Sequence, residues 1–165
     1  MHNDQAIWNF IFTVFFLGLV VLGMRVLYTA GQLPLTINLF DLALIVLATF
    51  RLIRLFVYDK IMLWFRDLFW QKITVVDELG GSVTIKQKRS DGPFRTISDL
   101  LGCPWCFGVW ASFFVCFFYY ITPFAWFPIL FLAIAGVATF VQLLANMIGW
   151  RAEMLKLETQ ELERE

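Results

Sequence analysis

The sequence predicts an all-α integral membrane protein with four transmembrane helices and both termini in the cytoplasm. Composition is the first observation behind this prediction: of the 165 residues, 60% are hydrophobic and only 16% are charged. Globular proteins average about 45–50% apolar residues, and a chain this short cannot bury such an excess in one core. The composition therefore excludes a soluble enzyme and a disordered chain, and three cysteines are too few for a disulfide scaffold.

Long uncharged stretches are the second observation, since about 20 apolar residues are needed to cross a bilayer as a helix. The predicted spans are residues 5–24, 37–58, 104–120 and 126–150. The first has neither a basic leader nor an Ala-x-Ala site, so we expect an uncleaved helix. The second has an uncharged centre of only Leu42 to Phe50, and Arg51 and Arg54 must extend toward the headgroups. A re-entrant second segment is the alternative.

The distribution of Lys and Arg is the third observation. Nine of them lie from Arg51 to Arg95 and three lie after residue 150, whereas the first connection holds only Arg25. Basic residues favour the cytoplasmic side, so the pattern predicts that both termini lie inside. The zero net charge gives no argument for a nucleic acid partner. The predicted units are a membrane domain (1–150), a cytoplasmic insertion within it (59–102) and a charged helical tail (151–165).

The insertion begins with a predicted amphipathic helix over residues 59–72. Its aromatic side chains are Trp64, Phe65, Phe69 and Trp70. Such a helix suits the membrane interface, and packing on the ends of the bundle is the open alternative. β-Branched segments at residues 73–76 and 83–88 flank Gly80-Gly81 and predict a small hairpin. An isolated hairpin is marginally stable, so this one needs a supporting surface.

The sharpest chemical motif is Cys103-Pro104-Trp105-Cys106. Pro suits the first position of a helix, which would place Cys103 where the helix dipole lowers a thiol pKa. Redox chemistry is one interpretation, and the absence of a βαβ context together with a cytoplasmic position favours simple packing. Zinc would need four ligands, and only Cys116 and His2 remain besides the pair. We therefore expect no metal and no cofactor.

Five polar residues fall within or beside the predicted spans: Asp41, Arg51, Arg54, Gln142 and Asn146. Ionisable residues in a span suggest an ion path or a buried pair. The alternative for the two arginines is a boundary position that binds lipid phosphate. Gln142 and Asn146 are four residues apart, among small residues, and predict helix packing, with the lining of a shared pore as the alternative.

Two stretches carry a resemblance. The first is ATFRLIRL at residues 48–55 with YDKI at 58–61, and the second is PFR at 93–95 with LLGCPWCFGVWA at 100–111. They resemble a small bacterial and phage membrane family of unknown function that includes the sporulation-associated protein YjcA. The resemblance implies a multi-span bacterial or phage membrane protein, which with the charge pattern gives the bacterial cytoplasmic membrane as the expected location, and it implies no established reaction. It marks as motif positions Arg51, Arg54, Asp59, Arg95, Cys103, Cys106 and Trp110. We also expect Asp59 and Arg95 to form a structural pair across the cytoplasmic face.

These observations lead to a non-enzymatic membrane protein that contacts lipid and acts by assembly, with itself or with another membrane protein. A small channel or holin-like oligomer is one specific form of this function. The alternative from a different class is a membrane thiol–disulfide oxidoreductase that uses Cys103 and Cys106. A third hypothesis is a lipid-binding scaffold on the inner face, which would depend on Trp64 and Trp70.

Overall fold

The computed structural model of the protein describes residues 2–76 and 82–162. These residues form helices and one antiparallel hairpin. In chain order the elements are α1 (His2–Thr29), α2 (Leu39–Ile53), a π turn (Arg54–Tyr58), a 3₁₀ turn (Lys60–Met62), α3 (Leu63–Asp67), β1 (Trp70–Val76), β2 (Ser82–Lys88), α4 (Pro93–Gly102), α5 (Pro104–Ile121), a 3₁₀ turn (Pro123–Ala125) and α6 (Trp126–Leu162).

Three of these helices, α1, α5 and α6, are long and apolar enough to cross a membrane. They lie at the first, third and fourth predicted spans. The second predicted span is also helical, but α2 has only 15 residues before the five-residue π turn continues it. The count of four spans therefore stays a prediction. As far as Leu162, the last described residue, the predicted tail is the continuation of α6, which runs without a break through 37 residues.

The directions of the helices follow from their contacts. Phe16 contacts Trp110 and Phe113, and Gly23 lies against Phe113 and Phe117, so α1 and α5 run in the same direction. Gly31, with φ of 67°, follows α1 and allows the chain to reverse.

The other two helices run the opposite way. Asp41 meets Tyr119 while Ile53 lies at Gly108, so α2 is antiparallel to α5. Gly136 lies at Leu47 in the tight contact between α6 and α2, and the rings of Phe140 and Phe50 meet further along, so α2 and α6 are parallel. The start of α1, the end of α2, the start of α5 and the end of α6 consequently share one end of the bundle, here called the insertion end because residues 59–102 lie there.

The core is centred on α2. Its buried residues pack against α5 and α6, and Ala48 has no exposed surface. The buried cluster consists of Leu44, Ile45, Ala48, Val115, Ile129 and Ala133. Gly136 allows the tightest approach, because a Cβ atom at this position would come within 2.5 Å of the carbonyl oxygen of Leu47.

The insertion differs from the sequence prediction in its first half. The predicted amphipathic helix over residues 59–72 is wrong, because only a 3₁₀ turn and the five-residue α3 form before β1 begins at Trp70. Pairing with β2 explains this, since aromatic and β-branched residues suit strands. The predicted hairpin is confirmed, with Ile73 opposite Ile85. The predicted Gly-Gly turn lies outside the described residues.

Helix α4 was not predicted from the sequence. Gly92, with φ of 89°, precedes it, and Pro93 occupies its first turn, where no backbone donor is needed. Thr96, Ser98 and Leu101 are its buried residues. Gln5 Nε2 donates to Thr96 Oγ1 over 2.9 Å, which attaches α4 to the start of α1.

We predict that Gly136→Ala destabilises the protein by about 1–3 kcal/mol, the usual cost of overpacking. Alanine is the better helix former, so the loss would come from the clash with the Leu47 carbonyl. Gly18→Ala, in α1, is the matched control, because nothing lies within 4 Å of a Cβ atom there. Unfolding in mixed micelles measures both variants. Equal stability of the two would contradict the close α2–α6 contact.

Candidate functional site

The predicted dithiol lies at the junction of α4 and α5. Cys103 is the only residue between the two helices and caps both of them. The residue before a proline disfavours the helical conformation, and Cys103 is accordingly extended, with φ of −113° and ψ of 105°. Pro104 then starts α5. The Cys-Pro sequence therefore both ends α4 and presents a thiol at the N-terminus of a new helix.

A hydrogen bond connects the side chain of Cys103 to the backbone of Cys106. Cys103 Sγ accepts the backbone N–H of Cys106 over 3.3 Å, as a side chain at the N-cap does. Both cysteines are free, Cys103 half-buried and Cys106 exposed. The hydrogen bond from the Cys106 thiol, that from its backbone N–H and the positive charge of Lys88 hold the pKa of the Cys103 thiol below its ordinary value. Cys103 is thus the stronger nucleophile at neutral pH.

A groove of about 600 Å³ opens beside the dithiol, between α1 and α5 and over α4. Such a volume is typical of a small-molecule site. One part of its wall is aromatic and the other is polar or charged. The lining residues are Asn9, Phe12, Thr13, Phe16, Lys88, Thr96, Asp99, Leu100, Gly102, Cys103, Cys106, Val109 and Trp110. The groove is therefore built from α1, the end of β2, α4 and α5 together.

Asp99 connects the hairpin to this site. Its carboxylate accepts from Lys88 Nζ at 2.7 Å and from Arg95 Nε at 2.9 Å. Burial alone would raise the pKa of Asp99, but these two hydrogen bonds outweigh it and the pKa lies below its ordinary value. Arg95 also donates to the carbonyl oxygen of Arg89 over 2.9 Å. The charged end of β2 is thus fixed on α4, which positions Lys88 at the groove.

The expected ion pair between Asp59 and Arg95 does not form, because each of them pairs with a different residue in the structure. Asp59 pairs with Arg51 at 2.9 Å, and Arg95 pairs with Asp99. Asp99 is one helical turn from Arg95 on the same helix, so the shorter connection forms.

Beyond the pair, Arg54 stacks on the ring of Tyr58 at 4.8 Å, so both arginines of α2 and its π turn have a partner within the same segment. Arg66 donates to the carbonyl oxygens of Val57 and Asp59, which caps the end of the π turn. Asp41 accepts the hydroxyl of Tyr119 over 2.6 Å, and its backbone N–H is capped by Asn38.

The amides of α6 lie apart from the groove. Gln142 Nε2 donates to Asn146 Oδ1 over 2.9 Å, and both side chains are exposed. These two side chains therefore do not pack against another helix of this chain, although the sequence suggested such packing.

The predicted interface aromatics separate into two groups. Trp64 is 64% exposed, whereas Phe65 and Phe69 are half-buried in a chain of rings from Phe56 to Phe94. Trp70, in β1, lies beneath Lys88 with its ring centroid 6.0 Å from Nζ.

Sequence reasoning missed Lys88, Asp99 and Thr96. The Arg95–Asp99 spacing of four residues was the available signal, and it required the recognition of α4. Among the described residues, no three His, Cys, Asp or Glu side chains gather where they could hold a metal ion.

Comparison with known proteins identifies the family. Residues 44–145 match the family described as "Protein of unknown function (DUF1360)". The chain belongs to this family. It is 38% identical over 114 residues to Sporulation protein YjcA of Bacillus subtilis, covering 68% of this chain and 96% of that protein. It is 34% identical over 100 residues to UPF0713 protein YngL of the same organism, covering 60% of this chain and 73% of that protein. No solved structure gives a significant match.

The DUF1360 match begins within α2 and ends within α6. It contains the dithiol, α4, the hairpin and the core contact at Gly136. Helix α1, which supplies one wall of the groove, lies before the matched residues. The resemblance stated from the sequence is thereby confirmed, and the family supplies no reaction.

We predict that Asp99→Asn loosens the hairpin from α4. Surface ion pairs contribute about 0.2–1 kcal/mol each, so trypsin cleavage after Lys88 or Arg89 should accelerate roughly two- to fivefold. Asp91→Asn is the control, because Asp91 accepts from the hydroxyl of its neighbour Ser90 over 3.1 Å and is not part of the Lys88–Asp99–Arg95 network. Timed digestion of protein in nanodiscs, followed by mass spectrometry, measures both rates. An unchanged rate for Asp99→Asn would show that the network does not hold the hairpin.

Proposed function

We propose that this DUF1360 protein is a multi-pass protein of the bacterial cytoplasmic membrane that acts by assembly of copies of itself through α6. The observation that carries the proposal is the exposed amide pair of Gln142 and Asn146 on a helix apolar enough to span the bilayer. No catalytic step belongs to this function. The name of the YjcA relative supports a role of such an assembly during sporulation.

Depth in the membrane supports the proposal. Gln142 is nine residues from Arg151, the first basic residue after the apolar part of α6. At about 1.5 Å per residue, this puts Gln142 about 14 Å inside that boundary. The internal bond leaves Gln142 Oε1, the second N–H of Gln142 and both side-chain N–H groups of Asn146 without a partner among the described residues. Amides in hydrocarbon are stabilised by bonds across a helix–helix contact.

The residues around the amides also favour close helix approach. Small residues share the exposed side of α6 with Gln142, at spacings of three and four. They are Ala138, Ala145 and Gly149. Such surfaces let two helix backbones approach closely in membranes. A ring of copies with this side inward would line a small pore, the channel form of the proposal.

For topology, we propose that α2 and the π turn together form the second of four spans, in addition to α1, α5 and α6. Their 20 helical residues extend about 30 Å, close to the thickness of the hydrocarbon core. The charge of Arg51 is offset by Asp59 and that of Arg54 is placed on the Tyr58 ring, which lowers the cost of both arginines near the boundary. The insertion end would then be cytoplasmic, as the Lys and Arg distribution requires.

We predict that single cysteines label from opposite sides of the membrane, in a background whose three native cysteines are changed to serine. Gln32→Cys, between α1 and α2, should react with an impermeant maleimide on intact cells. Asp91→Cys, in the insertion, should react only after permeabilisation. Labelling of Asp91→Cys on intact cells would mean that α2 does not cross or that the orientation is inverted.

We predict that Gln142→Leu combined with Asn146→Leu reduces the oligomer to monomers, because the interhelical amide bonds are lost while the helix remains apolar. Mass photometry of the protein in lipid nanodiscs measures the mass directly. Val141→Leu combined with Ile148→Leu is the control, because both residues are exposed on another side of α6. A wild-type monomer at all concentrations, or an oligomer unaffected by the double amide change, would refute assembly through this surface.

A further inference from the structure

The dithiol groove is not used by the assembly of α6, and no residue of α6 lines it. We propose that Cys103 and Cys106 form a thiol–disulfide exchange site, in which Cys103 attacks and Cys106 resolves, acting on a disulfide seated in the groove between α1 and α5. The inference goes beyond the proposed assembly and depends on different residues.

The position of Cys103 makes it the attacking thiol. As the N-cap of α5 it receives the backbone N–H of Cys106, so a thiolate there is stabilised by a hydrogen bond and by the positive end of an 18-residue helix. The charged and titratable groups lining the groove beside it come from three elements: Lys88 of β2, Asp99 of α4 and Cys106 of α5. The polar groups that α1 contributes to the wall, Asn9 and Thr13, are neutral.

The position of Cys106 makes it the resolving thiol. It lies three residues after Cys103, in the first turn of α5, and its backbone N–H donates to Cys103 Sγ over 3.3 Å. The Cys103 sulfur is therefore already in contact with the residue that carries the second thiol, within the same first turn of α5. Cys106 is exposed, so it remains free to attack after Cys103 has been modified.

The reaction is balanced as two exchanges. The Cys103 thiolate attacks one sulfur of the substrate disulfide, forms a mixed disulfide and expels the other sulfur as a thiolate. The Cys106 thiolate then attacks Cys103 Sγ, which forms the Cys103–Cys106 bond and expels the second substrate thiolate. The protein loses two electrons and two protons, and the substrate disulfide gains them as two thiols. A second dithiol running the same steps in reverse restores the site.

The groove indicates what kind of disulfide fits. Phe12, Phe16 and Trp110 supply an aromatic wall, with the rings of Phe16 and Trp110 at 4.7 Å. Lys88 and Arg95 share the single carboxylate of Asp99, so this cluster at the groove keeps a net positive charge. The best substrate is thus a disulfide that carries apolar or aromatic groups and a negative charge.

Dithiobis(nitrobenzoate), an aromatic and anionic disulfide, is a suitable probe because each attack releases coloured thionitrobenzoate. In nanodiscs, and with Cys116→Ser as the background, the parent protein should release two equivalents per chain and keep no adduct. Adding Cys106→Ser should release one equivalent and leave a stable adduct on Cys103. Adding Cys103→Ser should slow the release, because the remaining Cys106 thiol lacks the N-cap hydrogen bond that stabilises a thiolate at Cys103.

These outcomes decide the assignment. Two retained adducts on the parent protein would refute resolution by Cys106. Equal rates for the two single-cysteine proteins would refute Cys103 as the attacking thiol. Intact mass counts the adducts on each variant, and circular dichroism shows whether the variant is folded. If both single-cysteine variants lost their fold, the two cysteines would be packing residues and the exchange role would be refuted.

Two further variants test the surroundings. Lys88→Gln should move the pH dependence of the Cys103 reaction to higher pH, whereas Lys156→Gln in the tail of α6 should not. Trp110→Leu should slow the aromatic probe roughly two- to tenfold, as expected for one lost aromatic contact, and leave the rate with iodoacetamide unchanged. If Trp110→Leu lowered the rates with both reagents equally, the groove would not be the site that binds the probe. If Lys88→Gln left the pH profile unshifted, Lys88 would not stabilise the Cys103 thiolate.

Discussion

The contact between α2 and α6 at Gly136 is the constraint on which the arrangement of the other helices depends. A backbone carbonyl of α2 occupies the space that a Cβ atom would need, so the two helices meet along their backbones and Ala48 is fully enclosed. Helix α5 also packs on α2, through Tyr119 and Gly108, and shares the buried cluster with α6. Helix α1 is then added outside α5.

The same order of packing produces the groove. Helix α5 begins at the insertion end because it is antiparallel to α2. Helix α4 ends at the same place, with one residue between the two helices. The chain therefore has Cys103 at a point where α1, α4 and β2 also converge. Lys88 reaches this point only because Asp99 holds the end of the hairpin on α4. A motif of four consecutive residues thus acquires a wall and a charged neighbour from segments far away in the chain.

Two surfaces with different chemistry result, and they lie on different helices. The exposed side of α6 offers amides and small residues, which are suited to another helix in a bilayer. The groove offers thiols, a lysine and aromatic rings, which are suited to a small or local substrate. The DUF1360 match contains the α6 residues up to 145 and both cysteines, but the α1 wall precedes it. Assembly and exchange can therefore be tested separately.

The sequence by itself determined the long helices, because uninterrupted apolar stretches at α1, α5 and α6 have few other solutions. It also determined the hairpin, through β-branched residues on both sides of a turn, and the position of the dithiol before a helix, through Cys-Pro. Only the tertiary structure decided the partners. Asp59 chose Arg51 and Arg95 chose Asp99 since ion pairs form between the side chains that packing brings together. Residues 70–72 became strand rather than helix because β2 was available to pair with them, and local periodicity contains no information about that distant partner.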